Sequence, residues 1–149
     1  MKVVYLLSLG LLLSFSSYGQ QSTKKANLLW SDEFDQDGFP NPAKWTLEVG
    51  DHGWGNNELQ LYTSGQLKNA RVQGGVLLVE AHADASQPKG YTSAKLVTKG
   101  KGTWQYGYVE VRAKLPYGRG TWPAIWMLPE ENKFGGWPKS GEIDIMEHV

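Results

Sequence analysis

Glu142, Asp144 and Glu147 fall within the seven-residue stretch Gly141-Glu-Ile-Asp-Ile-Met-Glu147, close enough to act together in acid–base or nucleophilic chemistry. Ile143, Ile145 and Met146 between them read as the core-facing residues of a β-strand. Like charges on one sheet face repel, so folding alone gives no reason for the cluster. Side chains alternate along a regular strand, so Glu142 and Asp144 share a face while Glu147 points the other way. One extra residue around Ile145-Met146, a β-bulge, returns Glu147 to the face of Glu142, and bulges are frequent beside active sites. The two glutamates then stand as i and i+4, with Cα atoms about 13 Å apart at a rise of ~3.3 Å per residue. Side chains leaning together close this to roughly 5–6 Å, the carboxylate separation that cleaves a glycosidic bond with retention rather than inversion. An amphipathic strand with its charged face in water would carry the same residues. The aromatic context separates the two readings.

Trp122, Trp126 and Trp137 lie within twenty or so residues upstream of the acids. Indole offers a rigid apolar face with a polar tip, suited to the C–H face of a pyranose. Trp122 and Trp126, four apart on an expected strand, share a face opposite Pro123, Ile125 and Met127. Gly135-Gly-Trp-Pro138 signals a loop, which puts Trp137 on a rim. Trp30, Trp45 and Trp104 have no such context and read as core or edge packing. The Gly-rich loop His52-Gly-Trp-Gly-Asn-Asn-Glu58 is either an ordinary Asx-type turn or a hydroxyl-recognition loop acting through Asn57. Arg71 is likewise a surface charge or a donor to sugar hydroxyls. No phosphate-loop pattern is present, the three histidines lack metal-ligand spacing, and no Ser-His-Asp or Cys-His set is suggested.

The elements that must hold these groups are short. Apolar or alternating runs at 28–34, 44–49, 59–63, 70–73, 76–82, 94–98, 107–115, 122–128 and 142–148 are separated by Gly, Pro, Asn and Asp. None carries a sustained helical period, and β-branched and aromatic residues dominate, so the fold class is all-β. Gln73-Gly-Gly75 marks a hairpin. In 107–115, Val109, Val111, Ala113 and Leu115 alternate with Tyr108, Glu110, Arg112 and Lys114, the pattern of a half-buried strand.

Residues 1–19 read as a signal peptide: Lys2, an apolar run over 3–15, then Ser17-Tyr18-Gly19 before the cleavage point. Residues 20–27 form a short polar leader, and the expected localisation is secreted, periplasmic or extracellular. The chain has 149 residues, no net charge and no Cys. The charge balance leaves no footprint for nucleic acid or an anionic membrane. Without disulfides, an exported domain relies on core packing. Sandwiches of this strand density commonly run to about 200–250 residues. Residues 28–149 are therefore expected to be the N-terminal part of one catalytic domain, unstable and inactive by itself and monomeric when complete.

Several motifs in order carry a family resemblance. Trp54-Gly-Asn-Asn-Glu-Leu-Gln60, Asn69-Ala-Arg-Val72, Gly118-Arg-Gly-Thr-Trp-Pro-Ala-Ile-Trp-Met-Leu-Pro129 and the bulged Gly141–Glu147 signature resemble glycoside hydrolase family 16, in its laminarinase-type branch. The resemblance implies a β-jelly-roll sandwich, concanavalin A-like, whose concave cleft hydrolyses internal β-1,3-glucosidic bonds with retention. It implies Glu142 as nucleophile, Asp144 as the residue assisting it and Glu147 as general acid/base. Asn57, Arg71, Trp122, Trp126 and Trp137 match sugar-contacting positions. No cofactor is implied for catalysis, although a structural calcium is, on the main-chain oxygens of Glu33 and Gly75. Alternatives on the same sandwich are a non-catalytic glucan-binding lectin, a transglycosylase, or an enzyme for mixed-linkage glucan or galactan.

Overall fold

The computed structural model describes residues 27–148, so the signal peptide expected at 1–19 and nearly all of the leader at 20–27 lie outside the described residues. Nine short strands make up the regular structure: β1 (Thr46–Glu48), β2 (Gln60–Tyr62), β3 (Ala70–Gln73), β4 (Val76–Val79), β5 (His82–Ala83), β6 (Tyr91–Ser93), β7 (Lys95–Val97), β8 (Ala124–Met127) and β9 (Ile143–Glu147). The described residues contain no helix, which bears out the all-β expectation. The strands form four small sheets: β1-β7, β2-β6-β5, β3-β4 and β8-β9.

Local chemistry accounts for the best-formed hairpin. Gln73 pairs with Val76, and the two residues between them, Gly74 and Gly75, hold φ of 61° and 77°. A two-residue turn matching strand twist needs positive φ at both central positions, which glycine adopts without a Cβ penalty. Asp37 clips the preceding segment to this turn by accepting a hydrogen bond from the Gly74 amide at 2.9 Å. Gly38 also bridges to Val72.

The buried core is small and partly polar. Ala70, Val72 and Ala94 are its buried apolar residues, joined by Thr63, Asn69 and Thr92. Asn69 is fully buried and ties three segments together. Its Oδ1 accepts from the Thr63 hydroxyl at 2.9 Å, and its Nδ2 donates to the Glu80 carbonyl at 3.1 Å and the Thr92 hydroxyl at 3.2 Å. Buried amides persist only when satisfied in this way. A second cluster is aromatic: Trp30 meets Trp45 and Trp104 edge-on, with centroids 5.4 and 5.6 Å apart. That is the packing role expected of these three tryptophans. Gly102 makes room for the cluster, since a Cβ there would come within 3.1 Å of Trp104 and 3.2 Å of Trp30.

Three expectations change. The run at 28–34 is not a strand, because Asp32 turns the chain inward instead. The Asp32 carboxylate accepts from the Trp45 indole at 2.7 Å, the Lys44 ammonium at 3.2 Å and the Phe34 amide at 3.3 Å. Burial pushes this carboxyl up, but those three donors outweigh it and hold it below its ordinary value. The alternating run at 107–115 is not a strand either, and Val109, Val111 and Leu115 are exposed. A strand exists as a ladder, and no described segment hydrogen-bonds to this one. Conversely, β6 was not expected. Its polar Tyr-Thr-Ser run pairs parallel to β2 and antiparallel to β5, anchored by Thr92 on Asn69.

Candidate active site

The three acids lie on or beside the β8–β9 ribbon, and its register explains their arrangement. Ala124 pairs with Glu147, Ile125 with Met146, Trp126 with Asp144 and Met127 with Ile143, so Ile145 has no partner. That unpaired residue is a bulge at the position the acid spacing requires. Directly paired residues share a sheet face, so Asp144 and Glu147 emerge on the same side as Ala124 and Trp126. Without the bulge they would point apart. Exposure alternates along the partner strand as the sequence implies: Trp122, Ala124 and Trp126 are open, whereas Pro123, Ile125 and Met127 are half-buried. The opposite face is less covered than the pattern suggests, because Met146 is half-buried but Ile143 is 63% and Ile145 37% exposed. Beyond the ladder itself, this two-stranded sheet has no second sheet layered on that side among the described residues.

Two tryptophans engage the glutamates directly. The Trp122 indole N–H donates to Glu147 Oε1 at 3.0 Å, and the Trp137 indole N–H donates to Glu142 Oε2 at 3.0 Å. The sequence pointed to stacking platforms, but no signal in it foretold that each indole would orient a carboxylate. Such a hydrogen bond fixes a side chain that otherwise has three rotatable bonds. Trp137 sits in the loop 135–141, held by Ser140 donating to the Gly135 carbonyl at 2.6 Å and accepting from the Phe134 amide at 3.1 Å. Trp126, opposite Asp144, keeps 39% of its surface open on the acid face.

The other expected sugar contacts lie apart. Asn57 is exposed, at φ 57° in the loop before β2, and Arg71 is on β3. Arg71 donates through Nε to Gln73 Oε1 and through Nη1 to the Leu67 carbonyl and Glu80. Neither hydrogen-bonds to the acid ribbon. Sequence reasoning also passed over Glu58, whose carboxylate accepts from Asn56, Gln60 and the Tyr62 hydroxyl and so braces the Trp54 loop. Burial, reinforced by Glu58, raises the Tyr62 phenol well above its ordinary value. A cavity of about 500 Å³ lies on the loop side of the ribbon, lined by Pro129, Glu130, Lys133, Phe134 and Ser140, and contains none of the acids.

Glu33 and Gly75 belong to segments that the Asp37–Gly74 hydrogen bond holds side by side. Two carbonyls fall short of the six to eight oxygens calcium takes. No group of three or more acidic, His or Cys ligands converges among the described residues.

Comparison with known proteins gives the family. The model described as "XgeA-like, catalytic GH16 domain" matches residues 57–149. The chain is 56% identical over 146 residues to a beta-glucanase of Rhodothermus marinus, covering 95% of this chain and 51% of that protein. It is 45% identical over 124 residues to a glucan endo-1,3-beta-glucosidase of Cryptopygus antarcticus, covering 80% of this chain and 44% of that one. The X-ray structure of the laminarinase from Rhodothermus marinus superposes with a TM-score of 0.79 at 60% identity, over 82% of this chain and 49% of that one. The chain belongs to glycoside hydrolase family 16 and has its jelly-roll fold. It spans about half the length of the relatives it matches.

Proposed function

We propose that the protein carrying this chain is a retaining endo-hydrolase of β-1,3-glucan. The observation that carries the reading is the unpaired Ile145, which sets Glu147 on the face of Asp144 and Trp126 while an indole holds each glutamate. Glu142 Oε attacks the anomeric carbon as Glu147 gives its proton to the leaving oxygen, forming a glycosyl-enzyme ester. Glu147, now a carboxylate, takes a proton from water, and the hydroxide oxygen displaces Glu142 from the same anomeric carbon. Asp144, between them on the same face, assists the nucleophile. Trp126 offers its open face to a sugar ring beside the acids, with Asn57 and Arg71 serving more distant rings. β-Glucan is favoured by relatives that bear the names of glucan-acting enzymes. Export is supported by the apolar run at 3–15 and the small residues that follow it.

The test uses the full-length protein. Glu142→Ser abolishes release of reducing ends from laminarin, and wild-type product first appears as the β-anomer by NMR. Undiminished cleavage by the variant overturns the nucleophile assignment, and α-anomer as first product overturns retention. A wild-type protein that binds laminarin without cutting it is a lectin. Faster cleavage of lichenan or agarose assigns a different polymer.

A further inference from the structure

Lys95 opens β7 and belongs to no site described above, yet three groups converge on its ammonium. It lies 3.9 Å from the Trp54 ring centroid and 5.2 Å from that of Trp126, both within cation–π range. Glu48 Oε2 on the neighbouring strand accepts from it at 3.0 Å. Its side chain is only 18% exposed. Trp54 is itself packed, with the His52 ring tilted against it at 4.1 Å and the Tyr62 ring at 5.5 Å. Its indole Nε1 is buried with no hydrogen-bond partner. Its packing therefore depends on what touches the ring. Trp126, by contrast, is open on the acid face and paired with Asp144.

We propose that Lys95 is a positioning residue that fixes the Trp126 ring beside Asp144 by clamping it to the packed Trp54. This rests on the glucan-hydrolysis reading for its consequence in turnover, though not for the clamp itself. An indole on a strand has two free side-chain torsions, and a cation held by Glu48 over its face selects one orientation. A sugar ring stacking on Trp126 then meets a surface already in place, so the ordering cost is met before binding. Without the cation, that cost moves into the binding step and appears in KM.

The experiment compares Lys95→Met and Lys95→Arg in the full-length protein. Methionine keeps an unbranched stem without charge, and arginine keeps the cation. The clamp is read without sugar, as near-ultraviolet circular dichroism in the tryptophan region. Lys95→Met should diminish that signal and Lys95→Arg should restore it. On laminarin, Lys95→Met should raise KM on the order of five-fold with kcat within about two-fold, and arginine should return it toward wild type. An unchanged dichroism in Lys95→Met overturns the clamp whether or not the protein turns over glucan. A raised KM with unchanged dichroism and no rescue by arginine makes Lys95 a direct sugar contact, which also overturns it. A lower kcat with unchanged KM overturns the positioning role. Wild-type protein inert on laminarin but showing the dichroic changes leaves the clamp standing and removes the hydrolase reading. If Lys95→Met does not fold, Glu48→Gln, which frees the ammonium, should reproduce the KM rise, and an unchanged KM there overturns the proposal.

Discussion

Asn69 offers a severe test of how the fold holds together. Replacing it with Ala deletes three side-chain hydrogen bonds, to Thr63, Thr92 and the Glu80 carbonyl, from a position with no solvent exposure. Each such bond contributes about 1 kcal/mol net, and the Glu80 carbonyl left unpaired adds roughly another 1–2 kcal/mol, whereas the Thr63 hydroxyl keeps the Ser93 carbonyl as acceptor at 3.5 Å. The expected loss is therefore about 4–5 kcal/mol, set against a usual total of about 5–15 kcal/mol. At about 2–4 °C per kcal/mol for a domain of some 150–250 residues, the melting temperature of the full-length protein should fall by roughly 10 °C or more. Urea titration should show a lower midpoint with the slope unchanged. Thr63→Val provides the internal control: it deletes the bond to Asn69 and leaves the buried Asn69 Oδ1 without its donor, at a cost of about 2–3 kcal/mol. The double variant should lose less than the sum of the two, because the Thr63–Asn69 bond is deleted in both. A melting temperature within about 2 °C of wild type for Asn69→Ala, or strict additivity in the double variant, would refute the hub.

Two further outcomes follow from single contacts. Trp137→Phe keeps the ring but deletes the donor to Glu142; for this exposed contact about 1 kcal/mol is at stake, so kcat/KM on laminarin should drop roughly five-fold. An unchanged kcat/KM would mean that the indole does not orient Glu142 for the proposed reaction. Asp84 accepts from the Ser86 hydroxyl, the Lys68 ammonium and the Ser86 amide, which together lower its pKa from 3.8 to about 2. A depressed carboxyl stabilises the fold above its unfolded value, and that contribution disappears as pH falls from 3.8 toward 2. The melting-temperature gap between wild type and Asp84→Asn should accordingly be level above about pH 5 and close by about pH 2, and a gap constant throughout would contradict the assignment.

What the sequence made legible was whatever has a local cause. The Gly74-Gly75 turn is dictated by two residues that alone tolerate its φ values, and it lies where expected. The alternation across Trp122–Met127 survives because a strand's pleat imposes it residue by residue. The bulge could be read from a conflict between acid spacing and strand parity. Non-local causes were opaque. Nothing in the run at 107–115 reveals that no described segment pairs with it, and a well-patterned segment without a ladder is no strand. Asp32 reshapes 28–34 through Lys44 and Trp45, a dozen residues away. Strand β6 depends on Asn69, and the Lys95 contacts join residues from three separate elements. Asn57 and Arg71 were chosen by resemblance, and the structure leaves both outside the acid ribbon's hydrogen bonds.

The unpaired Ile145 ties the parity of the strand to the reach of the acids at a single position. Pairing the same residues without a gap would slip the end of β9 by one position and turn Glu147 to the other face, away from Asp144 and from the Trp122 indole that holds it. Deleting Ile145 outright has the opposite outcome: Glu147 then stands two residues from Asp144 on a regular strand and keeps its face and its partner Ala124. The ribbon thus admits two spellings of one arrangement, a longer one with a bulge and a shorter one without, and this chain uses the longer.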